Sequence, residues 1–196
     1  MIIVVSGLPR SGTSLAMQML AAGGLSVLSD GLRESDEDNP RGYCEWEPAK
    51  QLPTEPGLIA QAEGKAVKVI SSLLPALPAE HEYRVIFMLR PLDEVLASQA
   101  AMIRRRGRQG PPLPVQAMQA ALRAHLAQMD AVIASRESGF RVLRVNYHDL
   151  IADSRRAAQL ISQFLDLPLD VESMACQVDP SLYRQRTCPG EGGLLR

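Results

Sequence analysis

The sequence is short of cysteine, of aromatic residues and of any excess charge. Three cysteines, Cys44, Cys176 and Cys188, make an odd number at wide spacing among 196 residues, with no Cys-x-x-Cys pair and no paired histidines nearby. That pattern argues against a disulfide framework and against a tetrahedral zinc site, so no metal is expected. Aromatic residues make up 4 % of the chain, with one tryptophan, Trp46. This removes any evident stacking platform for a carbohydrate or a large flat ligand, and a lone tryptophan reads as a packing residue. Twenty-one basic against 22 acidic side chains leave a net charge of −1, so no bulk field points to nucleic acid or to an anionic membrane surface, and any anion selectivity must be local. Long apolar runs are missing too: Met1 to Val5 breaks off at Ser6-Gly7 without a basic flank, and no later run approaches a membrane-spanning length. The expectation is a soluble, cytoplasmic protein with neither a nucleic-acid nor a membrane partner.

What is present is ordinary globular composition, 46 % hydrophobic and 22 % charged, at a length suited to one domain over 1–196. Ile2 to Val5 is a continuously apolar, β-branched run before a glycine, as in a strand buried on both faces of a parallel sheet, and it is expected at the centre of that sheet. Gly12 to Ala22 has helical spacing and stops at Gly23-Gly24, ahead of a short strand at Leu25 to Ser29. Ala66 to Ile70, Arg84 to Leu89 and Arg141 to Val145 bring the strand count to five, while Leu92 to Arg106, Val115 to Ser135 and Asp153 to Leu165 carry helical periodicity. The fold class is therefore α/β, with a three-layer arrangement of a parallel sheet flanked by helices. Residues 30–64 are polar and rich in Pro and Gly, with a weak helical pattern around Glu47 to Ala62, and are expected to form a loop region on the substrate side. Residues 169–196 read as a loop tail. The run Arg104-Arg105-Arg106-Gly107-Arg108 reads as a solvated helix end, favoured by the helix dipole. The helix from Val115 to Ser135 is expected to pack on the sheet through its Ala and Met face, a homodimer contact being the other use of that face.

The chemistry concentrates after the first strand. Gly7-Leu8-Pro9-Arg10-Ser11-Gly12-Thr13-Ser14 lies between a predicted strand and a predicted helix, where backbone N–H groups and a helix N-terminus cradle a phosphate-like anion. The loop departs from the nucleotide-triphosphatase pattern G-x-x-x-x-G-K-[ST], because Thr13 stands at the lysine position and the cation is Arg10, inside the loop. The neighbouring apolar strand ends in Arg90, where an Asp would hold magnesium. An anion site without a metal follows.

These residues resemble those of the sulfotransferase superfamily, whose 5′-phosphosulfate loop reads P-[KR]-S-G-T-[ST]; Pro9, Arg10, Ser11, Gly12, Thr13 and Ser14 match it throughout. The family also places an arginine at a strand end and a serine eight residues later, together holding the 3′-phosphate of the nucleotide; Arg90 and Ser98 stand in that relation. Val67 to Pro75 is similar to the lysine-bearing strand of the cytosolic members and puts Lys68 at their catalytic lysine, with Ile70 where their general-base histidine stands. Val145 to Leu150 resembles a Y-E-D-L segment whose tyrosine, here Tyr147, lies near the adenine; His148 replaces the Glu. The C-terminal R-K-G nucleotide loop is absent, and Arg184 or Arg186 is the candidate substitute. The resemblance implies P-loop NTPase-like topology, 3′-phosphoadenosine 5′-phosphosulfate (PAPS) as co-substrate, and transfer of its sulfuryl group to a hydroxyl or amine.

In-line sulfuryl transfer asks the protein to position the reactants and to stabilise charge on the leaving phosphate, which fixed cations such as Arg10 and Lys68 do without magnesium. With the histidine absent, a carboxylate must take the acceptor proton. Asp30, at the sheet edge after the second strand and similar in location to a glutamate of the tyrosylprotein members, is one candidate; Glu45 is the other, because Asn39-Pro40-Arg41-Gly42-Tyr43-Cys44-Glu45 resembles an N-P-x-G-Y-x-E stretch of some bacterial members. The acceptor is left open among a small molecule, a glycan, a lipid headgroup and a peptide. The competing readings are a magnesium-dependent P-loop nucleotide kinase or NTPase, and a non-catalytic nucleotide-binding relative.

Overall fold

In a computed structural model, which describes residues 1–33, 35–37, 39–107, 113–136 and 139–185, five parallel strands form one sheet. They are β1 (Ile2–Gly7), β2 (Val27–Leu28), β3 (Ala66–Lys68), β4 (Tyr83–Leu89) and β5 (Phe140–Asn146), in the order β2-β3-β1-β4-β5. The continuously apolar run is the central strand, and every residue of β1 is buried. Alternate side chains of β1 enter two separate cores: Ile3 and Val5 on one face, Ile2 and Val4 on the other. This is why the run shows no polar alternation.

One face is covered by helices α1 (Thr13–Ala22), α4 (Tyr147–Ala152), α5 (Ser154–Leu165) and α6 (Val171–Ala175). The other is covered by three 3-10 segments, Glu47–Gln51, Pro56–Ala62 and Ser71–Ala76, and by α3 (Val115–Ala134). Helix α2 (Leu92–Arg105) follows β4 and packs on α3. Trp46 is buried among the side chains of the second core, the packing role expected of it.

Two expectations need correction. The weak helical pattern at Glu47 to Ala62 is two 3-10 segments, each opened by a proline in its first turn and parted by Leu52 to Glu55. The tail from 169 is not all loop: Asp170 accepts from Ser173 N at 3.0 Å and starts α6, and a further 3-10 turn spans Pro180–Leu182. Helix α6 packs on α1, where a Cβ on Gly23 would come within 2.7 Å of Met174 Cγ, so that glycine serves a helix contact as well as a stop. Helix α3 buries Met129 fully, with Leu126, Val132 and Ile133 half-buried beside it. It does pack on the sheet, by a narrow stripe.

Chain order places β2 and β3 to one side of β1 and β4 and β5 to the other. The crevice beyond the C-terminal end of β1, where successive connections diverge, is where open α/β sheets bind ligands. The loop at residues 7–12 leaves β1 at that point.

Candidate active site

The loop is bent by two left-handed residues, Arg10 (φ 76°) and Gly12 (φ 103°). For the arginine this costs about 1–2 kcal/mol, and the start of α2 holds it in place. Arg90 Nη1 donates to the Arg10 carbonyl (3.1 Å), Arg10 Nε donates to Ser98 Oγ (2.9 Å), and Gln99 Nε2 donates to the Pro9 carbonyl (3.1 Å). Gly12 is obligatory for a second reason: a Cβ there would lie 2.5 Å from Cδ2 of Tyr147. Gly12 is also the N-cap of α1, and no side chain caps that helix. Its first residues line a cavity of about 270 Å³: Gly12, Thr13 and Ser14 border it together with Arg10, Lys68, Arg90 and Ser98, among others.

Lys68 ends β3 and is 7 % exposed. Its ammonium donates to Ser14 Oγ (3.3 Å) and to the Tyr43 carbonyl, and stands 3.5 Å from Glu45 Oε1. Burial pushes its pKa below that of an ordinary lysine, and the Glu45 carboxylate opposes part of that shift. Glu45 also pairs with Arg33 Nη1 at 2.7 Å, and the Arg33 guanidinium lies 3.3 Å over the Tyr43 ring.

Asp30 stands apart. Its carboxylate accepts from the N–H groups of Leu32 (3.0 Å) and Glu47, and these bonds hold its pKa below the ordinary carboxylate value. It does not line the cavity, whereas Glu45 does. Of the two carboxylates, geometry brings Glu45 to the lysine and leaves Asp30 as a cap on a neighbouring turn. Ser11 is a second departure: its hydroxyl is buried without a partner, against Gly7, and it too is absent from the cavity lining. Ser11 offers the loop its backbone.

Around Arg90 the structure adds residues that the sequence did not single out. The arginine side chain is 8 % exposed and donates from Nε to Glu94 Oε2 (3.0 Å) and from Nη2 to the Gln185 carbonyl (2.9 Å). Glu94 is 1 % exposed and also accepts from the Tyr183 hydroxyl (2.7 Å), with His148 Nε2 3.0 Å away. Burial and that bond to Glu94 raise the Tyr183 pKa. The rings of Tyr147 and Tyr183 sit 4.7 and 5.2 Å from the Arg90 guanidinium. An arginine and a glutamate four residues apart on a helix start are the signal that sequence reading passed over. Arg184 lines the cavity and donates to the Glu37 carbonyl at 2.7 Å; Arg186 and Arg108 lie outside the described residues. Arg105 and Arg106, read in the sequence as part of a solvated helix end, are exposed at the end of α2 and also line the cavity.

Among the described residues, no three His, Cys, Asp or Glu side chains gather as metal ligands, and no helix is long and apolar enough to cross a membrane. No family pattern and no curated protein matches the sequence. Solved structures do. The sulfotransferase STF1 from Mycobacterium tuberculosis H37Rv aligns over 93 % of this chain and 73 % of its own, with a TM-score of 0.60 at 17 % identity. The sulfotransferase domain of the Synechococcus PCC 7002 olefin synthase aligns over 96 % and 89 %, with a TM-score of 0.53 at 15 % identity. Retinol dehydratase, crystallised with androsterone and the inactive cofactor PAP, aligns over 92 % of this chain and 63 % of its own, with a TM-score of 0.52 at 16 % identity. The parallel order of five strands, the glycine loop at the end of β1 and these three likenesses agree that the chain has the fold of the sulfotransferases.

Proposed function

We propose that the protein is a PAPS-dependent sulfotransferase. The observation that supports this most directly is the convergence of Arg10, Ser14 and Lys68 on an uncapped helix N-terminus, with the Glu45 carboxylate 3.5 Å from the lysine. The donor set fits a phosphosulfate: fixed cations and hydroxyls beside the backbone of a glycine loop at a helix N-terminus. PAPS would supply the sulfuryl group, and Arg10, Thr13, Ser14 and the loop N–H groups would hold its 5′ end. Lys68 and Arg10 stabilise the charge that develops on the leaving phosphate. Glu45 takes the proton of the acceptor hydroxyl. Arg90, Ser98 and Arg184 stand on the 3′-phosphate side, and Tyr147 beside them on the adenine side.

Calorimetric titration without magnesium tests the nucleotide. Adenosine 3′,5′-bisphosphate (PAP) is expected to bind at least about tenfold more tightly than the 5′-monophosphate, a gap of ~1.4 kcal/mol. Tighter binding of ATP with magnesium would move the protein to the P-loop kinase or NTPase reading. For the base, Glu45→Gln is expected to lower turnover of PAPS with a panel of acceptor alcohols by about 10²–10⁴. Asp30→Asn, outside the cavity, should leave it within about threefold on the same ground. Equal losses in the two variants would remove Glu45 from that role.

A further inference from the structure

A second depression opens beside the main cavity, lined by Leu32, Arg33, Glu45, Glu47, Lys50 and Arg106. Arg33, Glu45 and Arg106 belong to both. Glu45 thus stands where the two spaces meet, with the loop and Lys68 on one side and an open approach on the other. An in-line transfer needs the acceptor opposite the leaving group, and this depression borders Glu45 without any residue of the glycine loop in its lining.

Its walls speak to what enters. Leu32 is the one apolar residue among them and is 73 % exposed, so the depression offers little to an apolar or flat acceptor. Lys50 and Glu47 close on each other at 2.7 Å at the rim. Arg33 gives Nη1 to Glu45 and lays its face on Tyr43. Arg106 faces Asp36 across 3.6 Å, an ion pair too long for a hydrogen bond, while Asp36 accepts the Tyr43 hydroxyl at 2.7 Å. The C-terminal end of α2 accounts for a cation at 106 through the helix dipole, but not for Arg33, which comes from the loop after β2 and faces the same space. Two guanidinium groups from separate elements line this one depression beside Glu45 and offer charge-assisted donors to a planar or tetrahedral anion.

Resting on the sulfotransferase reading, we infer that the acceptor is an alcohol carrying an anionic group of its own, a phosphate, sulfate or carboxylate, bound by Arg33 and Arg106. The acceptor's anion shares Arg33 with Glu45.

The test uses the full chain saturated with PAP, so that the nucleotide's own anion sites are filled. Phenyl phosphate and phenol, which share the ring and differ by the phosphate, are then titrated calorimetrically. Phenyl phosphate is expected to bind and phenol not, and Arg33→Gln and Arg106→Gln are each expected to weaken phenyl phosphate by about tenfold or more, the size of one charge-assisted contact. The half-exposed Arg106 carries the test if the Arg33 variant folds poorly. Equal binding of phenol and phenyl phosphate, no phenyl phosphate binding, or binding unchanged in both variants overturns the acceptor proposal while leaving the nucleotide site standing. Failure of the wild-type chain to bind PAP overturns both.

Discussion

Lys68→Met is expected to remove most of the turnover and little of the affinity for PAP. The lysine is 93 % buried and its ammonium touches Ser14 Oγ, the Tyr43 carbonyl and Glu45. It is a fixed cation in a site from which water is largely excluded, where removing one such donor costs about 10²–10³ in rate. PAP keeps the 5′-phosphate but not the charge redistribution of the transition state, so its calorimetric Kd should weaken by much less than the rate. Methionine keeps the volume and removes a buried charge, and Glu45 retains Arg33 as partner at 2.7 Å; the melting temperature should not fall. The pH profile carries the second half of the prediction. Burial lowers the Lys68 pKa from 10.5, with Glu45 opposing. The charged form is the active one, so the rate declines with rising pH through that lowered value, earlier than for an exposed lysine. The same shift has a stability sign: between the folded and unfolded pKa values the unfolded chain holds the proton more tightly, so stability rises with pH across that window. Lys68→Met should lose both effects. A variant with full turnover would take Lys68 out of the chemistry.

Much of this was legible beforehand because it rests on local pattern. The β1 run and its following glycine loop fix the sheet centre and the anion site together, since an apolar strand of that length has to be covered on both faces and the loop after it then meets the crevice. The cation at Lys68 and the arginine at the end of β4 fall there for the same reason. What was not legible depends on contacts between segments remote in sequence. Asp30 and Glu45 are both loop acids at plausible distance from the loop, and only the turn at Glu47, whose N–H Asp30 accepts, separates them. Arg105 and Arg106 read correctly as a helix end, but not as cavity residues, because the opposite wall, Arg33 and Tyr43, lies some 60 to 70 positions earlier in the chain. The short helix α6 was missed because five residues hold less than two turns of periodicity; its capping Asp170 was the available signal.

Arg90 is the residue for which the obvious substitution misleads. Arg90→Ala is expected to destabilise the fold before it says anything about the nucleotide. Glu94, 1 % exposed, would lose the cation at 3.0 Å. Removing one side of a buried ion pair costs about 3–5 kcal/mol, which in a chain of this size lowers the melting temperature by roughly 6–20 °C. The Arg10 carbonyl would lose its donor as well, and with it part of the hold on a left-handed residue. Pairing Arg90→Met with Glu94→Gln removes both charges and keeps the volumes close, so at least half of the lost melting temperature should return, the pattern of a coupled pair. That double variant then gives a clean reading of the arginine's role. Its Nη2 now donates to the Gln185 carbonyl, a neutral acceptor that a phosphate dianion outcompetes. If Arg90 takes the 3′-phosphate, the double variant loses the preference for PAP over the 5′-monophosphate by about tenfold or more while still binding the latter, and this is the result expected. Equal weakening of both nucleotides would instead make Arg90 an anchor of the Arg10 turn and leave the 3′-phosphate to Ser98 and Arg184.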